Sequence, residues 1–335
     1  MPSRSSTSPR LSRLSDRSAT ATSAAPRPVP SGRYYQNYHG HAVADLEAVI
    51  ALLPSDAQRI WLCGDSTLDS KHWYFSPDKP KAAQMSDPGF TAPALNGYEL
   101  ALCSPARMVQ DVSYHLNALA AERAPTRPVV TVNAAVEEST VADRDRVLLE
   151  QDAFLRDHLS AQDVLVMSMG GNDVALRPTV ATILAMLALT RSPAWLIRCG
   201  SAPGQSYFER LFGERVRRVA QRICARTKPA VVVVCVLYYL DETPGGSWAD
   251  PVLDKLGYDR DPSKLQLIIS TLCERVGRRG LHIDGTRVVL CPLFEALDGK
   301  DPADYCQRVE PSVRGGRKMA ERIWQTIEES GALAD

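Results

Sequence analysis

A parallel β-sheet covered by helices on both faces is the fold class this sequence predicts. Two observations carry that expectation. Short β-rich runs alternate with longer stretches of helical period, and no internal repeat interrupts the alternation. Purely parallel sheets need such crossover helices on both faces, which makes their strands near-continuous apolar runs.

Five strands are expected: Arg59–Cys63, Val129–Val132, Asp163–Met169, Ala230–Leu237 and Arg287–Cys291. Helical periodicity covers His41–Leu53, Gly97–Ala120, Asp143–His158, Thr179–Thr190, Tyr207–Arg226, Ser263–Val276 and Gly315–Glu329. The clearest pattern is Phe208, Leu211, Phe212, Val216, Val219, Ala220 and Ile223 at spacings of three and four, with Arg210, Arg215, Arg217, Arg218 and Arg222 on a solvated face. Two connections are too long for simple turns. Ser76–Asn96 and Leu240–Pro262 both leave carboxyl ends of strands and are expected to face substrate, with Trp73, Tyr74, Phe75, Tyr238, Tyr239 and Trp248 as candidate rim aromatics.

The 335 residues, 44% hydrophobic and 23% charged, form an ordinary globular composition long enough to bury a core. Lysine plus arginine and aspartate plus glutamate each total 39, so no global field gathers nucleic acid or an anionic membrane. The longest apolar run, Pro229 to Leu240, falls short of the roughly 18 residues that a membrane span needs. Eight cysteines without a CxxC pair read as free thiols, with Cys63, Cys235 and Cys291 buried. Residues 1–30 hold eight serines and five arginines against Asp16 alone. That composition fits a disordered tail on a cytoplasmic protein or a leader for mitochondrion or plastid, ahead of one domain over 31–335.

Chemistry is expected at two turns. Ile60-Trp61-Leu62-Cys63 runs into Gly64-Asp65-Ser66, with a helical pattern starting at once, so that Ser66 stands at a strand end beside free N–H groups. A plain serine N-cap has the same sequence. Val164-Leu165-Val166-Met167-Ser168-Met169 runs into Gly170-Gly171-Asn172-Asp173, where Asn172 offers an amide donor at the same sheet edge. Ligands of open α/β sheets bind along that edge.

These residues resemble the SGNH, or GDSL-type, hydrolases. Gly64-Asp65-Ser66 with Leu68 is similar to the first block of that family, Gly170-Gly171-Asn172-Asp173 to the third, and Pro311-Ser312-Val313-Arg314-Gly315-Gly316 to the fifth. The resemblance covers about residues 58 to 328. It implies a three-layer α/β/α sandwich with a five-stranded parallel flavodoxin-like sheet. It also implies ester hydrolysis with Ser66 as nucleophile and Asn172 as oxyanion donor. The family's fifth block carries an Asp and a His three apart, where this chain has Gln307 and Glu310. The second block has no glycine for the oxyanion hole over Asn133 to Thr140. Glu310 then becomes the substitute base, with Asp65, Gly171, Asp173 and Glu137 as substrate-binding residues.

No histidine replaces the missing one. His39, His41, His115 and His158 fall away from the expected edge, His282 lies at the other end of the sheet, and His72 lies on another face of the helix after Ser66. Asp65, Asp69, Glu137, Glu138, Asp173, Asp241, Glu242 and Glu310 all fall near strand ends, a set able to bind a hard cation but without metal-ligand spacing. Three functions follow. One is a hydrolase or acyltransferase acting on a small-molecule or acylated ester, with no cofactor. Another is a catalytically silent binding protein on the same fold. The third is a carboxylate-based or metal-assisted enzyme. Oligomeric state is not written in these residues.

Overall fold

The computed structural model describes residues 25–279 and 281–333. Five parallel strands make the central sheet: β1 Gln58–Gly64, β2 Val129–Asn133, β3 Val164–Ser168, β4 Val231–Val236 and β5 Arg287–Pro292, in the order β2-β1-β3-β4-β5. That is the flavodoxin-like order, with the reversal between β1 and β3 as its switch point. Register is continuous: Ile60 faces Thr131 on one side and Val164 on the other, and Val232 faces Val288. All residues of β2 and β3 are buried, as the apolar runs require.

The described residues form seven principal helices, six of which cover the sheet. They are α1 Val43–Ile50, α2 Val112–Arg123, α3 Glu150–His158, α4 Val180–Arg191, α5, α6 Pro262–Arg279 and α7 Val313–Glu329. Helix α5 is built from Gln205–Glu209, a π-helical turn Arg210–Arg215, and Val216–Ile223. On one face α2 and α7 cover Ile60, Leu62, Val164, Val166, Val231 and Val233 with Leu116, Met319, Ile323 and Trp324. On the other, α1, α3, α5 and α6 cover Trp61, Val132, Leu165, Met167 and Val232 with Leu46, Phe154, Phe208, Val219 and Leu272. Alternate strand residues thus feed two cores, which is the three-layer α/β/α sandwich.

Three expectations change. The helix expected over Asp143–His158 begins only at Glu150, after a single 3-10 turn at Ala142–Arg144. The helix expected over Gly97–Ala120 is split. One turn, Tyr98–Ala101, gives way to short strands at Leu102–Cys103 and Arg107–Val109, and α2 starts only after Asp111, whose carboxylate accepts the Tyr114 N–H at 2.9 Å. Pro105 interrupts the run and Asp111 is a strong N-cap, so local chemistry overrides the periodicity. The folded unit also begins earlier than residue 31. Most of the expected tail lies outside the described residues, but Val29–Pro30 pairs in parallel with Leu102–Cys103 and Val29 is buried.

Among the described residues no helix is long and apolar enough to cross a membrane. All eight cysteines are free thiols, and Cys63, Cys224, Cys235 and Cys291 are buried.

Candidate active site

β1 ends so close to β3 that a Cβ on Gly64 would lie 1.9 Å from the Ser168 carbonyl oxygen, a gap that only glycine fits. The Asp65 N–H donates to that same carbonyl at 3.1 Å. The chain then turns on Asp65, whose carbonyl accepts the N–H groups of Leu68 and Asp69 at 3.0 and 3.2 Å. Its carboxylate accepts the Thr67 N–H at 3.1 Å. No helix begins at Ser66, which corrects the sequence expectation. The first helical segment is the single turn Lys71–Tyr74. The side chains of Asp65 and Ser70 bind nearby backbone and compete with helix formation. Without a helix there is no macrodipole, and anion stabilisation at Ser66 falls to single N–H groups. The Ser66 N–H has no acceptor among the described residues.

Ser66 is buried and its Oγ donates to Glu310 Oε1 at 3.3 Å. Glu310 comes from a short antiparallel pair, Tyr305–Gln307 against Glu310–Pro311, that precedes α7. It is 4% exposed, and its Oε2 has no partner among the described residues. Burial, and then the Asp65 charge, hold its pKa well above the carboxylate range, against the hydrogen bond from Ser66 that lowers it. Glu137 is in the same condition. It is 1% exposed, accepts the Trp73 indole N–H at 3.1 Å, and has an unpartnered Oε2. Burial, followed by the charges of Glu310 and Asp69, pushes it up to about 10. Burial also raises Asp65 to about 6. Asp69 is fully buried in an ion pair with the equally buried Lys71.

These raised carboxyls link stability to pH. Above its ordinary pKa of 4.5 an unfolded Glu137 loses the proton that the native residue keeps up to about pH 10. Native binds more protons than unfolded across that window, so stability falls as pH rises, by about 1.4 kcal/mol per pH unit for each such carboxyl. Glu137→Gln keeps an acceptor for Trp73 and removes the titration. Thermal unfolding of the variant should fall less between pH 5 and pH 8 than that of wild type, and an unchanged difference would show that Glu137 ionises normally.

The expected second turn is also in place. Gly170 takes φ 109°, and a Cβ there would stand 2.7 Å from the Phe212 ring, carried on the π-helical turn of α5. Asn172 lies in the five-residue helix Gly171–Ala175, and its amide donates to the Ser139 carbonyl at 3.1 Å, leaving its second N–H for another acceptor. Asp173 is occupied by the N–H groups of Val141 and Ala142 at 2.7 and 3.2 Å, with Arg215 at 3.8 Å.

One cavity of about 470 Å³ joins these pieces. Asp65, Ser66, Gly171, Asn172 and Glu310 line one end, and α4, α5, α6 and the Leu240–Pro262 segment wall the rest. Asp173 and Glu137, named from sequence as substrate-binding residues, do not line it. Of the two long connections, Leu240–Pro262 contributes Trp248, Val252 and Leu253, whereas no residue of Ser76–Asn96 reaches the cavity. Tyr238 also lines it. Tyr74 and Phe75 are buried in the core, and Tyr239 stacks on Phe294. The acidic set disperses: Asp241 caps the Thr243 N–H at 2.8 Å and Glu242 accepts from Gln266 at 2.8 Å. Among the described residues no three His, Cys, Asp or Glu side chains are grouped to hold a metal ion.

His39 is a second correction. The segment before β1 folds back over the carboxyl edge, so that His39 Nδ1 lies 3.1 Å from the Glu137 carbonyl and the Tyr38 ring packs between His39 and His72. Neither histidine is hydrogen-bonded to Ser66. Sequence reasoning also missed two buried arginines. Arg144 binds Asp152, Ser139, Thr140 and the Gly64 carbonyl. Arg308 ties the Glu310 hairpin to the cavity wall through Asp250 Oδ1 at 3.1 Å, Asp259 Oδ1 at 2.7 Å and the carbonyls of Asp241 and Glu242 at 3.1 and 3.3 Å. No sequence signal marks either. The cavity wall did have one: α4 is apolar nearly all round, which is unusual unless more than one of its faces meets apolar material.

No family model matches the chain, and no curated protein matches it. Among solved structures it is similar to a protein of Slackia heliotrinireducens assigned to the SGNH hydrolases, at TM-score 0.40 and 12% identity over 81% of this chain and 99% of that one. It is similar to a family 3 carbohydrate esterase of Clostridium thermocellum, at TM-score 0.40 and 12% identity, over 83% and 100% of the two chains. It is also similar to phospholipase A1 from Streptomyces albidoflavus NA297, at TM-score 0.40 and 13% identity, over 81% and 99%. Substrate and residue roles have to come from the site itself.

Proposed function

We propose that this protein cleaves an ester through Ser66, releasing the acid to water or passing the acyl group to another acceptor. The observation that carries the reading is the hydrogen bond from Ser66 Oγ to Glu310 Oε1, 3.3 Å long, at the polar end of the cavity. Glu310 takes the serine proton as Oγ bonds to the acyl carbon, then gives it to the departing alkoxide as the carbon–oxygen bond breaks. Water enters by the reverse sequence, its proton going to Glu310, and the acid leaves as Ser66 is restored. The Ser66 N–H and the free amide proton of Asn172 are the donors for the oxyanion. An apo hydrogen bond of this length tightens when substrate fills the site.

A second reading has its own observation. Burial raises the Glu310 pKa well above the carboxylate range, which favours the protonated form, and a protonated carboxyl accepts no proton, as a silent binding protein requires. A fluorophosphonate probe separates the two. Wild type should be labelled, faster at pH 9 than at pH 6, and Ser66→Ala should not be labelled at all. No labelling of wild type at either pH would leave the binding protein as the function.

A further inference from the structure

We propose that the cavity beside Ser66 takes a straight aliphatic acyl chain, so that the ester carries an acid of on the order of eight to twelve carbons, a size suited to pockets of roughly 300–1,000 Å³. The inference rests on the ester reading and names the substrate class of that same site.

Polar side chains converge where Asp65, Ser66, Asn172 and Glu310 stand, and the one other charged side chain of the lining, Lys255, is exposed. Beyond them the walls are Met186 and Leu187 of α4, Phe208 and Phe212 of α5, and Ile268 and Leu272 of α6. The hydroxyl of Thr182, which also lines the cavity, is bonded to Tyr207 at 2.6 Å. A sugar acid or a charged acyl group lying along these six side chains would have to bury polar atoms against apolar ones, out of the reach of Asp65, Ser66, Asn172 and Glu310, whereas methylenes gain by burial. The π-helical turn supports the shape. It inserts Phe212 against Gly170, where the wall meets the oxyanion donors.

The mouth presents apolar side chains beside the exposed Lys255. Ile183, Trp248 and Val252 line the cavity and are 46%, 38% and 42% exposed, so the chain enters between α4 and the Leu240–Pro262 segment. Orientation follows from proton delivery. The leaving alcohol must face Glu310, which stands with Ser66 at the polar end of the cavity. The methylenes of the acid then run along the apolar walls, and the acyl chain fills the cavity.

The test is a homologous series of p-nitrophenyl esters, from acetate through butyrate and octanoate to decanoate. kcat/KM should rise up to about fourfold per added methylene, the factor equivalent to burying one, and by two orders of magnitude or more across the series. Measurable acetate turnover with a flat or falling profile would overturn the acyl pocket and leave the ester reading intact. Ethyl octanoate should be cleaved faster than octyl acetate, and the reverse order would overturn the assigned orientation. Ile183→Trp should lower the ratio of decanoate to butyrate turnover about tenfold, and an unchanged ratio would move the chain away from this mouth. A binding arm does not depend on catalysis. Calorimetric titration of Ser66→Ala with decanoate should show saturable binding with a negative heat-capacity change. Binding there with an inert wild type would sustain the pocket while the ester reading fails, and no binding would overturn the pocket.

Discussion

Glu310→Gln should lower kcat/KM on an activated ester by about a hundred- to ten-thousandfold, the usual worth of a positioned general base. The substitution keeps the side-chain oxygen that accepts from Ser66 and removes the basic site. The wild-type pH profile should carry the same information. Burial and the Asp65 charge keep the proton on Glu310 well above the ordinary carboxylate range, so the ionised fraction grows with pH. Activity should climb about tenfold per pH unit from near neutrality toward the raised pKa, because each unit below a pKa costs tenfold in basic form. The scarcity of basic form is partly offset, since a carboxylate of high pKa is the stronger base once ionised. Steady-state kinetics from pH 6 to 10 on wild type and variant would decide it. A flat wild-type profile, or a Gln variant within about twofold of wild type, would remove Glu310 from the chemistry.

Arg144→Leu should cost about 3–5 kcal/mol of stability, as breaking one side of a buried ion pair does. Both Arg144 and Asp152 are fully buried, 2.8 Å apart. The guanidinium also donates to Ser139 Oγ at 2.9 Å, the Thr140 carbonyl at 3.0 Å and the Gly64 carbonyl at 3.2 Å. Its loss leaves a buried carboxylate and carbonyls without donors, on the segment that leads to Ser66 and on the one whose Ser139 carbonyl holds Asn172. The melting temperature should drop by on the order of 10 °C. Adding Asp152→Leu should recover part of the loss, because the uncompensated charge goes with it. A single variant melting within about 2 °C of wild type would mean that water replaces the guanidinium, and that the site is less tightly closed than its geometry implies.

The strands were readable because a parallel sheet covered on both faces demands unbroken apolar runs, and Val164–Ser168 and Val231–Val236 are such runs. The helix expected after Ser66 was not there because Asp65 and Ser70 spend their side chains on nearby backbone, a competition that periodicity does not register. Ser66 and Glu310 could be paired in advance only because a resemblance supplied the position of a partner, since 244 residues separate them. His39 was misplaced for the opposite reason. Nothing in residues 25–42 encodes the path by which the segment crosses the carboxyl edge, which is set by contacts such as Tyr38 with Glu138 at 2.7 Å. Arg144 and Arg308 read as surface charges in a sequence. Their burial depends on acceptors brought from elsewhere in the chain, Gly64 in the first case and Asp241, Asp250 and Asp259 in the second.

Arg308 sits two residues before Glu310, and its four hydrogen bonds all end on residues 241–259. The wall of the cavity and the segment that carries Glu310 are therefore tied through one buried guanidinium and are expected to unfold together. Freeing the wall strips a buried guanidinium of its acceptors, a cost that neither segment can meet alone. On the proposed reading, an opening past Trp248 and Val252 that breaks these four bonds would also unseat Glu310, so departure of the acid and reset of the proton acceptor are expected in the same motion.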